Sequence, residues 1–97
     1  MYKVCILRAM EIEFDPAKNK ANLRKHGIDF ADIEGIFYDQ NAITIEDRDH
    51  GEQRFVTIGT DGVGRVLVVC YTYLSESAIH LISDRKAEPH ERKTYEE

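Results

Sequence analysis

Apolar and polar side chains alternate in the segment MEIEFD, which begins at Met10. Alternation over so short a stretch is typical of a half-buried β-strand. Asp15 and Pro16 follow, an N-cap residue and a proline at the first helical position, and Gly27 is placed to end the helix that they begin. The pattern therefore predicts a strand and then a helix with a thin apolar stripe and a broad basic side.

A second helix is predicted after Asp29, which can act as its N-cap, because apolar residues recur at helical spacing between Phe30 and Phe37. Strands are predicted in AITIED, RFVTIG, RVLVVCYTYL and AIHLIS, with an Asp-Gly turn before the third. RVLVVCYTYL is apolar on both faces, as a central strand is. A last helix begins near Pro89. The fold class expected is α+β: a twisted, mainly antiparallel sheet of four to five strands, two N-terminal helices and a short C-terminal helix.

The 97 residues, 42% hydrophobic and 32% charged, predict one soluble globular domain. No apolar run approaches the ~18 residues that span a bilayer, and the opening MYKVCILRAM has no cleavage site, so we expect a cytoplasmic protein without a membrane partner. The net charge of −5 argues against a general nucleic-acid coat protein. The charge is uneven, however, because 18–25 is basic and 29–52 is strongly acidic. A basic face that meets phosphate is compatible with this distribution.

Three short segments gather cations, carboxylates and proton-transfer groups: LRKHG, GEQRF and SDRKAEPHERKTYEE. Their candidate residues are Arg24, Lys25, His26, Glu52, Arg54, Arg85, Lys86 and Tyr95. Each segment also has a purely structural interpretation. Cations at a helix C-terminus stabilise it by ~0.3–1 kcal/mol, a Glu–Arg pair on a strand can be a surface ion pair, and a terminal helix of mixed charge is commonly only solvated. Both interpretations stay open on composition and spacing alone.

The sequence lacks the motifs of several common kinds of site. Its four histidines have no metal-ligand spacing, and there is no G-x-S-x-G, Walker loop or G-x-G-x-x-G. Metal-free cleavage of RNA needs a base for the 2′-OH proton, a cation at the phosphate and an acid for the leaving 5′ oxygen. The three segments contain side chains of all these types. Metal-free phosphodiester chemistry is therefore the sharpest interpretation of them.

Beyond these patterns, the chain resembles the BrnT toxins of type II toxin–antitoxin systems in the segments FDPAKNKANLRKHGIDF, YDQNAITIEDRDH, RFVTIG, RVLVVCYT and ISDRKA…HERKTYE. The resemblance extends from Met10 to the C-terminus. It implies a RelE-like fold and a ribonuclease that needs no metal or organic cofactor. It also implies a BrnA-like antitoxin with a ribbon-helix-helix domain, so that operator DNA is bound only through the antitoxin complex.

Carried over position by position, the family's basic and polar residues correspond to Lys25, His26, Glu52, Arg54, Arg85 and Tyr95. The chain departs from the family at Asp84, where a small residue is usual. That carboxylate can weaken a phosphate contact or hold the neighbouring Arg85 guanidinium in place. Residues 1–9 precede the usual start of the family. We therefore expect a single toxin domain over 10–97, preceded by an N-terminal extension that is either foreign to the domain or an extra strand.

The leading hypothesis is a toxin endoribonuclease that cleaves RNA and inhibits translation and growth. In this hypothesis Arg54 and Arg85 stabilise the phosphate, and His26 or Glu52 is the general base. Tyr95 positions the RNA or protonates the leaving oxygen, and His26 can also take this role. Further phosphate contacts come from three cations: Lys25, Arg24 and Lys86. Of these, Lys25 can also position the RNA or protonate the leaving oxygen.

A second hypothesis, from another class, is a non-catalytic protein whose cationic face docks an antitoxin or a ribosome. A third is a toxin homologue that has lost its activity. Growth arrest with intact RNA separates the second from the first, and a neighbouring gene for a ribbon-helix-helix protein supports a toxin.

Overall fold

The structure is a computed structural model that describes residues 3–7, 10–48, 51 and 53–97, with the backbone alone at 3–7 and 10. Its elements are β1 (Lys3–Leu7), β2 (Met10–Phe14), α1 (Pro16–His26), a 3-10 helix (Phe30–Tyr38), β3 (Ile43–Asp47), β4 (Arg54–Thr60), β5 (Val66–Ser75), β6 (Ala78–Lys86) and α2 (Pro89–Glu96). Within these residues no helix has both the length and the apolar composition needed to cross a bilayer.

The strands form one mixed sheet in the order β1-β2-β6-β5-β4-β3. All neighbouring pairs are antiparallel except β2 and β6, which run parallel. The α+β class and the mainly antiparallel sheet of four to five strands are confirmed for residues 10–97. Five strands come from 10–97, and the N-terminal extension adds a sixth, because β1 pairs with β2 along the edge of the sheet.

The local signals at the ends of α1 act as the sequence predicts. The Asp15 side chain accepts a hydrogen bond from the backbone N–H of Ala17 at 2.9 Å. Gly27 ends the helix in the left-handed region with φ of 73°, and its N–H donates to the carbonyl of Leu23 at 2.8 Å. Both contacts join residues only two to four positions apart, which is why the sequence alone identifies them.

The second predicted helix forms after Asp29, whose side chain caps it by accepting from the N–H of Ala31 at 2.9 Å. It is a 3-10 helix rather than an α-helix, so that part of the prediction is corrected. Gly35 in its middle touches the turn between β4 and β5. A Cβ atom there would lie 2.6 Å from the backbone nitrogen of Gly62, so only glycine allows this close approach.

The hydrophobic core lies between the sheet and the layer formed by α1 and the 3-10 helix. Its buried residues are Ile12, Phe14, Ile28, Phe30, Ile33, Ile36, Leu67, Val69, Tyr71, Ile79 and Leu81. We call the sheet face that meets this layer the helix face, and the opposite one the open face. Because side chains alternate along a strand, the neighbours of a helix-face residue project from the open face.

The helix α2 lies at one end of the sheet, where β4 and β6 finish and β5 begins; we call this the α2 end. It buries no residue. Instead, α2 is held by polar contacts, from Glu91 to Arg85 of β6 and from Tyr95 to Thr60 of β4. A helix fixed in this way depends on charged and hydroxyl groups rather than on apolar burial.

Candidate active site

Arg85 projects from the open face of β6 and is held by the first turn of α2. Its Nη1 donates to Oε1 of Glu91 at 2.7 Å, and its Nη2 donates to Oε2 at 2.8 Å. This bidentate geometry is the strongest form of an arginine–carboxylate contact. The Arg85 guanidinium is the main cause that lowers the pKa of Glu91 to about 2. The pair is therefore charged at neutral pH and fixes the plane of the guanidinium.

The Arg85 guanidinium has donors in addition to those that Glu91 uses. Nη1 also donates to the carbonyl oxygen of Lys86 at 3.3 Å, which brings the contacts to three. An arginine has five N–H donors, and the Arg85 side chain is 37% exposed. Arg85 can therefore bind an anion without first releasing Glu91.

Tyr95 lies one helical turn beyond Glu91 and completes a network at the α2 end. Its hydroxyl donates to Oδ2 of Asp39 at 2.5 Å and accepts from Oγ1 of Thr60 at 2.7 Å. The N–H of Thr60 also donates to Asp39 Oδ2, at 2.8 Å. The hydrogen bond to the Asp39 carboxylate is the main cause that raises the pKa of Tyr95. Tyr95 is consequently a protonated phenol at neutral pH, one turn of helix from the Arg85 contact.

Asp84 does not serve Arg85, which corrects one of the two roles considered for it. The two side chains point to opposite faces of β6, and Asp84 is completely buried on the helix face. Asn22 of α1 donates to its Oδ1. Within the described part of the chain, Oδ2 of Asp84 has no hydrogen-bond partner. Glu91, not Asp84, holds the Arg85 guanidinium.

Arg54 lies on the open face but far from Arg85. Arg85 is paired with Val68, and Val68 with Ile58, so Arg54 is four residues along β4 and two strands away. Strand geometry therefore separates the Cα atoms of Arg54 and Arg85 by roughly 13 Å along the strands and about 10 Å across the sheet. The Cα atoms of the two arginines are therefore about 16 Å apart, and within the described residues the structure gives no contact between Arg54 and the Arg85–Glu91 pair.

The basic end of α1 lies on the other side of the sheet from both arginines. α1 packs on the helix face, where Asn22 reaches Asp84, and Arg24, Lys25 and His26 form its last turn. Arg24 and Lys25 are exposed, and His26 is half-buried. Glu52 lies outside the described residues. Of the predicted site residues, the structure therefore places Arg85, Lys86 and Tyr95 at the α2 end, with Lys86 on the opposite face of β6 from Arg85. It does not bring Arg54 or the end of α1 to them.

Sequence reasoning did not assign Glu91 and Asp39 to the site. Glu91 carries a local signal, because Glu88-Pro89-x-Glu91 matches the capping-box spacing and the structure forms that box. Asp39 carries none, since its partners Thr60 and Tyr95 are 21 and 56 positions away. Contacts of this kind become visible only when the sheet and α2 are assembled.

One group of described residues has its ligand atoms close enough for a metal ion. The carboxylates and imidazole of Glu88, His90 and Glu91 lie within 4.8 Å of one another. Both oxygens of Glu91 already bind Arg85, and the His90 side chain is 76% exposed. We therefore assign no metal to this group.

Comparison with known proteins agrees with the fold. Residues 14–91 match the model of the family described as the ribonuclease toxin BrnT of type II toxin–antitoxin systems. The 1.1 Å crystal structure of the Brucella abortus ribonuclease toxin BrnT is similar, with a TM-score of 0.63 and 27% identity over 77% of this chain and 92% of that one. No curated protein sequence gives a match. Because the family model spans most of the chain, this protein belongs to the BrnT family of ribonuclease toxins of type II toxin–antitoxin systems.

Proposed function

We propose that the protein is a metal-independent endoribonuclease whose reaction centre is the α2 end. The observation that carries the proposal is the match of residues 14–91 to a ribonuclease toxin family. The α2 end is the part of the described chain to which three of the predicted residues belong, Arg85, Lys86 and Tyr95, with Lys86 on the opposite face of β6 from the other two. A guanidinium held by Glu91, and a protonated phenol one helical turn beyond Glu91, are the kinds of cation and acid that metal-free RNA cleavage requires.

In the proposed reaction the 2′ oxygen of RNA attacks the adjacent phosphorus, and the bond from phosphorus to the 5′ oxygen breaks. Arg85 stabilises the negative charge that develops on the phosphate oxygens. Tyr95 turns its O–H from Asp39 to the leaving 5′ oxygen and gives that proton to it, while the Thr60 hydroxyl still donates to the phenol oxygen. For the base that takes the 2′-OH proton we propose Glu52, because His26 lies on the helix face of the sheet, on the opposite side from Arg85. Arg54 contacts RNA at a distance from the reacting phosphate.

The proposal includes the regulation that the family implies. A toxin of a type II system has an antitoxin partner, and we propose a BrnA-like one with a ribbon-helix-helix domain, through which the complex binds operator DNA. A RelE-like ancestry and a cytoplasmic location belong to the same proposal. Co-expression with the product of an adjacent short gene, followed by purification of one complex, tests the partner.

The test of the activity is incubation of the purified chain with a defined RNA in the presence of EDTA. We expect cleavage by the wild type and a loss of about 100-fold or more for Arg85→Ala, the scale of removing one transition-state contact. Arg54→Ala should lose less, through weaker RNA binding. Arg48→Ala is the matched control, because this arginine is 77% exposed and belongs to a surface ion pair with Glu46.

Three results would contradict the proposal. Cleavage that requires a divalent metal excludes the metal-free reaction. Undiminished cleavage by the Arg85 variant removes the reaction centre from the α2 end. Growth arrest with intact RNA favours a protein that acts by binding. Circular dichroism and the midpoint of thermal unfolding separate lost chemistry from lost folding in each variant.

A further inference from the structure

A cavity at the α2 end is lined by three cations from three different elements. Arg65 comes from the turn before β5, Lys86 from the end of β6 and Arg92 from α2, with Val66 and Ala87 forming its floor. The N–H of Ala87 donates to the carbonyl of Val66 at 2.9 Å, which ties the floor together. We call this cavity the basic pocket. It has a concentration of positive charge that is unexpected in a chain of net charge −5.

Two of the three charges are not neutralised by a carboxylate. Arg65 Nε donates to Oδ2 of Asp61 at 2.7 Å, and Asp61 is itself buried, so this cation is compensated and held in place. Lys86 and Arg92 form no ion pair with any described residue, and both are exposed. The pocket therefore has a net charge close to +2 from its lining and that one carboxylate, which suits a phosphate group.

The size and shape of the pocket favour a phosphate over a larger ligand. Its volume is about 210 Å³, several times the ~30 Å³ share of a water molecule and below the ~300–1,000 Å³ of pockets that enclose whole drug-sized ligands. The exposed side chains of Lys86 and Arg92 have rotatable stems that can bring their charges to an anion, while Arg65 is held by Asp61.

The basic pocket adjoins the proposed reaction centre. Lys86 directly follows Arg85, with Cα atoms about 3.8 Å apart, and their side chains leave β6 on opposite faces. Arg92 likewise follows Glu91, the partner of Arg85. A free anion can occupy only one of the two positions, whereas a polynucleotide carries successive phosphates that can reach both.

We propose that the basic pocket binds a backbone phosphate of the RNA substrate next to the phosphate that is cleaved. This inference rests on the proposed function, and it adds Arg65 and Arg92, which the sequence did not single out, to the RNA-binding residues. The substrate then passes around the α2 end, from the Arg85 side of β6 to the Lys86 side.

The experiment measures fluorescence anisotropy of a labelled 2′-O-methyl RNA, which cannot be cleaved by attack of its 2′ oxygen, against the full chain at several salt concentrations. The test variant is the double substitution Lys86→Gln with Arg92→Gln. The control is Lys18→Gln with Lys93→Gln, which removes the same charge from exposed positions outside the pocket. We expect the test variant to bind about tenfold more weakly or worse, with the slope of log affinity against log salt reduced by about 0.7, the value for one single-strand phosphate. The control should stay within about twofold of the wild type.

Equal losses in the two double variants, or no loss in either, overturn the pocket. The proposal is also overturned if inorganic phosphate raises the unfolding temperature of the wild type but not of the test variant, while both proteins bind RNA equally. The pocket would then bind free anions and not the RNA backbone. If the wild type does not cleave RNA but the test variant alone loses RNA binding, the pocket stands and the proposed reaction fails. If cleavage is normal and the two double variants bind RNA equally, the pocket alone is refuted.

Discussion

The buried carboxyl of Asp84 makes the stability of this protein depend on pH in a direction opposite to that of most acidic residues. Burial is the main cause that raises the pKa of Asp84 to about 7 from its ordinary 3.8, and the nearby Asp29 and Asp32 act in the same direction. The hydrogen bond from Asn22 and the charge of Arg65 oppose this rise. Replacing the carboxyl by an amide of the same shape, Asp84→Asn, removes the ionisation and keeps the volume.

The magnitude follows from proton linkage. A group whose pKa is raised in the folded state contributes stability at low pH, and that stability is lost as the pH rises from its unfolded pKa to its folded pKa. One unit of pKa difference is 1.36 kcal/mol, so a separation of about three units corresponds to about 4 kcal/mol. The loss is spread between about pH 4 and pH 7. Asp84→Asn should therefore change stability little at pH 4 and raise it by up to about 4 kcal/mol at pH 8.

The assay is urea unfolding, followed by circular dichroism, of wild type and variant between pH 4 and pH 8. The quantity of interest is the difference between the two free energies of unfolding at each pH, since contributions from other titrating groups then cancel. Glu34→Gln is the matched control, because the change removes one negative charge from an exposed position of the 3-10 helix, and Glu34 does not contribute to the raised pKa of Asp84. Its difference from the wild type should vary by less than about 0.5 kcal/mol, as is usual for surface substitutions.

A difference between Asp84→Asn and the wild type that stays constant from pH 4 to pH 8 would refute the reasoning. It would mean that Asp84 has an ordinary pKa in the folded protein. A variation equal to that of the Glu34 control would mean that net charge, and not burial, causes the effect.

Three further predictions concern α2 and the close contacts of the fold. Glu91→Gln should lower the free energy of unfolding by about 1–2 kcal/mol at pH 7. Because the pKa of Glu91 is lowered in the folded protein, this contribution is present above about pH 4.5 and is lost as the pH falls through about 2. If the urea unfolding curves of variant and wild type already coincide at pH 6, the prediction is contradicted. Tyr95→Phe should cost about 1–2 kcal/mol in the same assay, since it leaves a carboxylate without one donor, and an unchanged unfolding midpoint would exclude the network. Gly35→Ala should cost about 1–3 kcal/mol of overpacking, because its Cβ meets backbone at 2.6 Å. Gly27→Ala is the comparison, because its new Cβ meets nothing within 4 Å. The left-handed backbone at φ +73° alone should lower its free energy of unfolding, by about 1–2 kcal/mol. If truncating the neighbouring side chains restores the stability of Gly35→Ala, contact with the backbone is not the cause of its loss.

The elements of this fold that the sequence predicts correctly depend on neighbours along the chain. Asp15 and Gly27 begin and end α1 through contacts with residues at most four positions away. The strands follow from alternation within five to ten residues. The distinction between α and 3-10 geometry after Asp29 did not follow from the apolar spacing, which suits both kinds of helix.

The candidate site divides in the same way. The sequence alone identified Arg85, Lys86 and Tyr95 as a group, because they share one short segment. It also placed Arg54 and His26 beside them, since residue types and spacing do not show which face of a sheet an element covers.

What the sequence by itself determined is the places of the strands and helices over 10–97, the caps of α1 and the 3-10 helix, the α+β class and the family resemblance, all of which depend on local pattern. Only the tertiary structure decided that β2 lies parallel to β6, that Glu91 and not Asp84 holds Arg85, and that Asp39 binds Tyr95 from 56 positions away. It also assembled Arg65, Lys86 and Arg92 around one cavity. The physical reason is that these contacts join segments far apart in the chain, whose meeting is governed by the burial of the common core and not by any short-range preference.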